Sequence, residues 1–271
     1  MPLRFLSGLL LIFTQLSYAF ARLTPETSAA FDRYVELTEA RMNQSPDAAH
    51  FLRVASTPEV RAKLRGGEMR IAAVSTLDKG KEIKVPNGMI QDWLGAMFIP
   101  NTTLAHVKAV LQDYENYKKV YAPDVTESRV TAHQGDEYDI FLRLYKKQIL
   151  TAVLNTNYHV RYATPNAQRM CVVSHSTRVA EVKDAKHPDE GEAPVGNDTG
   201  FLWRLNSYWR FEEADGGVYA ECEAISLSRD VPAVVGWMIK GFIQKFPKES
   251  MQNTLRGTKA AVLGQLPVSR R

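Results

Sequence analysis
Between residues 136 and 229 apolar side chains recur at every second position, the period of strands with one buried face. In 136-146 the repeating set is Tyr138, Ile140, Leu142 and Leu144. In 148-163 it is Leu150, Ala152, Leu154, Thr156, Tyr158, Val160 and Tyr162, set against Thr151, Asn155, Asn157, His159 and Arg161. The run 168-183 puts Met170, Val172, Ser174, Ser176, Arg178, Ala180 and Val182 on one side, apolar at both ends and polar in the middle. In 200-213 Phe201, Trp203, Leu205, Trp209 and Phe211 oppose Arg204, Asn206, Tyr208, Arg210 and Glu212, with Ser207 the polar exception on the aromatic side. In 218-229 Glu221 and Glu223 point outward and leave Ala220, Cys222, Ala224 and Ser226 inside, while Ile225 and Leu227 suggest a bulge or a second covered face. Gly135-Asp136, Thr164-Pro165-Asn166 and Asp215-Gly216-Gly217 supply the turns.

Elsewhere the period is helical. Residues 24-42 read as an amphipathic helix with Thr24 as cap and Pro25 in the first turn. Ser45-Pro46-Asp47 and Thr57-Pro58-Glu59 start shorter helical stretches, and Gly66-Gly67 ends the second. Residues 69-76 suggest a strand and 77-88 a turn-rich linker. MIQDWLGAMFIP (89-100) reads as a strand closed by proline, and 102-121 as a helix. Residues 231-266 form a long terminal helix kinked at Pro247, and 184-200 a mobile surface loop rich in Pro, Gly and acids. A strand, a helix, a run of antiparallel strands and a closing helix define an α+β order. Residues 22-86 form a helical extension, 87-266 the main domain and 267-271 a tail.

The chain has 271 residues, 45% hydrophobic and 24% charged, enough to bury a core. Its first 21 residues differ in kind: a cationic MPLR, the apolar FLSGLLLIFTQL, then Ala19-Phe20-Ala21. This is a signal-peptide pattern, its apolar run well short of the roughly 20 residues of a spanning helix, so export with cleavage near Ala21 is expected, periplasmic or secreted. That segment holds Arg4 and no acid, so its removal takes the net charge from +4 to +3. Spread over such a length, this charge offers no nucleic-acid footprint, and an RNA-stacking sheet would need exposed aromatics with a basic surround.

Three stretches together resemble the START-like (SRPBCC, helix-grip) superfamily, in its bacterial polyketide cyclase-like or lipid-binding branch: MIQDWLGAMFIPNTTLAHVKAVLQDYENYKKVYAPDV, GFLWRLNSYWRFEEADGGVYAECEAISLSRDVP, and the terminal helix after Asp230-Val231-Pro232. The resemblance spans about 87 to 265 and implies a curved antiparallel sheet wrapped around the terminal helix, with a cavity for an apolar ligand. It implies shape more than chemistry. Trp203 and Trp209 are then expected to look into the hollow, with Arg204 and Arg210 in solvent.

Within such a cavity Arg178 is the first candidate anchor: near Ser174, Ser176 and Ser207 its guanidinium could hold a carboxylate or phosphate head, or instead pair with an acid of the protein such as Asp92. The remaining expected lining is Leu142, Leu154, Tyr158, Leu205, Trp209 and Cys222 from the strands, Trp203, and Met238 and Phe242 from the helix. The six histidines show no zinc spacing, the acidic 184-200 loop lacks EF-hand spacing, and no P-loop, G-x-S-x-G or dinucleotide fingerprint is present. No metal, cofactor or catalytic residue is assigned. Asp92, Tyr138, Tyr158, Tyr162 and Cys222 are the only groups that could serve as internal acid or base. Cys171 and Cys222 face opposite ways on strands separated by a third, roughly 9.5 Å apart against the ~7 Å a disulfide tolerates, so both are expected as free thiols.

The function expected is an exported binding module for a hydrophobic or amphipathic, lipid-like small molecule, gated by the terminal helix and the 184-200 loop, with transient membrane contact. The alternatives are a polyketide cyclase or aromatase-type enzyme using the same cavity, and a structural or interaction domain with a filled one.

Overall fold
The computed structural model describes residues 21–43, 51–147, 151–230 and 233–265, with backbone alone at 21, 147 and 233–245. The signal-peptide segment, the helical start at Ser45 and the tail lie outside the described residues. In chain order the elements are β1 (Ala21–Arg22), α1 (Pro25–Asn43), α2 (Pro58–Arg65), β2 (Arg70–Ala73), β3 (Leu77–Asp78), β4 (Lys81–Glu82) and β5 (Gly88–Pro100). Then come α3 (Leu104–Gln112), a 3-10 turn (Tyr114–Asn116), α4 (Tyr117–Val120), β6 (Val125–Gln134), β7 (Glu137–Lys147), β8 (Thr151–Asn166) and β9 (Arg169–Glu181). The chain closes with β10 (Asn197–Asp198), β11 (Arg204–Ala214), β12 (Gly217–Arg229) and α5 (Ala233–Val262).

One antiparallel sheet carries the fold, in the order β2-β5-β12-β11-β9-β8-β7-β6. The β11–β12 hairpin closes through Asp215 and Gly216, both at positive φ (54° and 75°), the type I′ geometry its sequence calls for. The first long strand pairs with the last, and α5 crosses the inner face. The contact is close at two glycines: a Cβ on Gly95 of β5 would lie 2.8 Å from Leu255 and 2.9 Å from Met251, and one on Gly257 would lie 2.7 Å from the Val120 carbonyl oxygen. This is the helix-grip architecture, with α5 held at the heart of an α+β domain. α5 runs through Pro247 as one continuous helix.

The alternation read in β7, β8, β11 and β12 is the alternation observed, but both faces of the sheet are covered. On the inner face Met97, Ile99, Met170, Phe211 and Leu255 are fully buried. On the outer face α1 packs Phe31 and Tyr34 against Tyr208, Ile225 and Leu227, and the segment around α2 packs Leu52, Ala55 and Leu64 against Ala96, Phe98 and Tyr219. Each such side chain contributes roughly 1.5–3 kcal/mol on leaving water. Ile225 and Leu227 therefore mark a second covered face and no bulge, and β2 adds a further strand beyond β5.

Two elements differ from the sequence reading. The helix expected over 102–121 breaks at Asp113, where Asn116 donates to the Asp113 carboxylate (2.7 Å) and carbonyl (3.1 Å), a local competitor to the helical ladder that also turns Tyr114 onto the sheet. β6 is an additional edge strand, VTESRVTAHQ, whose mostly exposed polar positions give no apolar alternation to read.

Candidate functional site
The inner face is sealed at one end and accessible at the other. At the sealed end the hydroxyls of Tyr114 and Tyr162 meet at 2.7 Å, Tyr162 donates to the Leu111 carbonyl (3.1 Å), and Tyr138 packs on both rings. Toward the other end Trp93, Leu142, Ser174, Leu205, Ser207 and Ala224 are only half-buried, although they occupy inner strands of an eight-stranded sheet. α5 follows β12, meets Phe201 and Lys146 at Phe246 and Ser250, and packs on Gly95 through Met251 and Leu255.

Around that patch Trp209, Tyr158, Leu154, Val172 and Cys222 form the buried surround. The accessible end is rimmed by Lys146, whose Nζ lies 2.7 Å from the Asp124 carboxylate, and by an edge-on pair of Phe201 and Phe246 at 5.8 Å. Burial pushes the Tyr158 hydroxyl up to about 12 and raises the Cys222 thiol further, so both are protonated at neutral pH.

Of the residues the sequence put forward, Leu142, Leu154, Tyr158, Ser174, Leu205, Ser207, Trp209 and Cys222 share the inner face. Ser176 is there too, but its hydroxyl accepts the Leu205 N–H (2.9 Å) and so completes the backbone of β11. Arg178 is not. Asn157 pairs with Arg178 and Tyr158 with Ser176, so Thr177 is an extra residue and every side chain beyond it changes face. The Arg178 guanidinium lies on the outer side against the carboxylate of Glu192, which also accepts from Asn155 (2.8 Å). Its partner is thus a loop acid and not Asp92, and Glu181 moves to the inner rim.

Trp203 is also outside. It precedes β11, and its indole N–H donates to Asp198 (3.0 Å), whose carboxylate also accepts the Gly200 N–H (2.7 Å). That clasp turns the ring from the pleat onto Phe31 and Tyr208, where it is 4% exposed. Arg204 and Arg210 do not sit free in solvent: Arg204 stacks over Phe31, and Arg210 donates to the carbonyls of Phe51 and Met42. Met238 and Phe242 belong to the part of α5 described by backbone alone.

The 184–200 loop is strapped to the outer face, through Glu192 to Arg178 and Asn155 and through Asp189 to Arg143 (2.8 Å). It cannot gate an inner hollow from there. Only its exit, Thr199 and Phe201, reaches the rim. Among the described residues no three His, Cys, Asp or Glu converge as metal ligands. Cys171 and Cys222 are free, on opposite faces of strands separated by β11.

The sequence reading missed a charged cluster on the outer face, under the N-terminal extension. Glu221 accepts three backbone N–H groups, from Arg53, Val54 and Ala55 (2.7, 2.6 and 2.8 Å). Glu223 pairs with Arg41, and Arg53 approaches its other oxygen at 3.6 Å. Asp92 lies on this face and not in the hollow; it accepts from the Tyr34 hydroxyl (2.9 Å), and its second oxygen has no partner. Burial, then the neighbouring Glu223, raise its carboxyl to about 7. The signal available was Tyr208, Ile225 and Leu227 on the charged side of their strands, matched by arginines in the extension.

No family model matches the chain, and the search of curated proteins returned no match. Among solved structures it is similar to a STAR-related lipid transfer protein from Xanthomonas axonopodis, with 14% identity over 71% of this chain and 98% of that one, TM-score 0.47. It is also similar to the Zhui aromatase/cyclase from Streptomyces sp. R1128 (7% identity, 67% and 99%, TM-score 0.46) and to human STARD10 (12%, 80% of each, TM-score 0.46). At such identities likeness speaks to shape alone, and the strand order with α5 across the inner face stands without it. The chain has a helix-grip fold, an eight-stranded antiparallel sheet with α5 across its inner face.

Proposed function
We propose that this chain is an exported binding protein that holds a hydrophobic or amphipathic small molecule between the inner face of the sheet and the first half of α5. One observation carries the reading: Trp93, Leu142, Leu205, Ser207, Ser174 and Ala224 keep accessible surface on inner strands, while the tyrosine end of the same face is closed. A concave, mostly apolar surface with a few hydroxyls suits an acyl or aromatic body whose few polar atoms are satisfied locally.

Binding is favoured over the cyclase or aromatase reading by the state of the groups beside that surface. A general base needs a pKa near the working pH, whereas burial holds Tyr158 and Cys222 protonated. Asp92 is on the other side of the sheet, and Glu181 at the inner rim is engaged by the backbone N–H and hydroxyl of Thr199. Export is proposed on the pattern of residues 1-21, and N-terminal sequencing of protein recovered from an envelope fraction tests it: a start near Ala21 is expected, an intact Met1 refutes it.

The ligand proposal is tested by native mass spectrometry of the purified chain and by titration with a fluorescent fatty acid. A co-purifying apolar molecule, or probe uptake with quenching of indole emission, is expected. Absence of both, with Leu205→Trp behaving as the parent chain does, refutes the reading.

A further inference from the structure
The outer face holds a cavity of about 260 Å³ between the N-terminal extension and the sheet. Its floor is Leu94, Tyr208 and Glu223 of the sheet, and its roof is Arg41, Leu52 and Arg53 of the extension. Arg53 and Ser56 are exposed and mark the opening.

Two guanidinium groups keep hydrogen-bonding capacity in this wall, beside the Ser56 hydroxyl at the opening. Both lining carboxylates are engaged, Glu221 by three backbone N–H groups and Glu223, 4% exposed, by Arg41. The Tyr208 hydroxyl donates to Glu39 (2.8 Å), and Arg210 is tied to two carbonyls. The donors are the Arg41 Nε, buried with no partner, and the Arg53 guanidinium, 43% exposed, whose nearest carboxylate oxygen is at 3.6 Å. Arg41, Arg53 and Arg210 line the space with Glu221 and Glu223, and Asp92 stands beside Glu223. The complement of the two guanidinium donors is an acceptor carrying one negative charge, with a small body to rest on Leu52 and Leu94.

We propose that this cavity is a binding site for a small monocarboxylate, with Arg53 as the group that seats the carboxylate. The site is separate from the hollow under α5, because an intact β-sheet lies between them, and it makes the N-terminal extension part of a receptor surface.

Isothermal titration of the full chain with benzoate, and with glycerol 3-phosphate as comparison, tests this. Benzoate is expected to bind, to weaken at least tenfold in Arg53→Met, and to be unaffected by Leu205→Trp on the inner face. Arg53 contributes its backbone N–H to Glu221, which Met retains, so the variant keeps that contact; Ser56→Trp, which plugs the opening, gives a second measure and should also abolish the heat. No heat from benzoate, meaning a cavity that holds water only, overturns the proposal. So does benzoate binding that survives Arg53→Met and is lost in Leu205→Trp, or binding confined to the phosphate ester.

Discussion

Replacing Asp92 by Asn isolates one buried charge and gives a stability change whose sign depends on pH. Asp92 is 4% exposed, has one oxygen on Tyr34 and the other unpartnered, and faces Glu223 with Arg41 and Arg53 beyond. Burial and Glu223 raise its carboxyl from 3.8 to about 7. The folded chain therefore binds this proton more tightly than the unfolded chain does. Stability from this group is fully present below pH ~4, falls as pH rises toward 7, and is flat above. Three units at 1.36 kcal/mol each amount to about 4 kcal/mol, of which about 3 kcal/mol falls between pH 5 and 8. Asn cannot ionise and still accepts from Tyr34. The variant should thus gain on the parent chain by about 3 kcal/mol between pH 5 and pH 8, or about 6 °C or more in Tm for a chain of this size. Thermal and urea unfolding of both proteins at the two pH values, at constant ionic strength, measures it. Comparison with the parent cancels the other raised carboxylates, Glu181, Asp198 and Glu221. A difference between the two proteins that is the same at pH 5 and pH 8 would refute the assignment of a buried, proton-holding Asp92.

Other consequences are simpler to read. Leu205→Trp fills the accessible part of the inner face and should cut uptake of a fluorescent fatty acid at least tenfold while leaving the melting temperature within a few degrees. Arg178→Met removes a half-exposed outer ion pair; stability should fall by only ~0–1 kcal/mol, and the ratio of affinities for an acidic amphiphile and its neutral analogue should not move. Gly95→Val puts carbon where Met251 and Leu255 already sit and should cost about 1–3 kcal/mol in urea unfolding. Cys222 should resist a thiol reagent until the chain unfolds, while the half-buried Cys171 reacts earlier.

Much of this architecture could be read from period two alone, because β7, β8, β11 and β12 each keep strict alternation and the Asp215-Gly216 turn fixes one register. What escaped had physical causes. One extra residue at Thr177 inverts the face of Arg178 and leaves no mark in composition, so the preferred anchor was assigned to the wrong side. Trp203 obeys the alternation but stands just before its strand, where Asp198 sets the direction of the ring. Ile225 and Leu227 allow a second covered face, but the charges of Arg210, Glu212, Glu221 and Glu223 do not show within a strand what covers them. They are instead engaged by partners more than a hundred residues earlier in sequence, such as Arg61 on Glu212 and Arg41 on Glu223. Such pairing belongs to tertiary contact and cannot be seen within a strand. The lining of the inner face was legible where strands supply it.

The extension braced against the back of the sheet has a mechanical consequence. Flattening the curvature to admit a bulky guest would strain the three amide contacts on Glu221 and the clamp of Arg210 on the carbonyls of Met42 and Phe51. The wall is therefore the stiff partner, and under the proposed function a ligand would enter by displacing the leading half of the terminal helix, which is anchored from Gly95 and Gly257 onward.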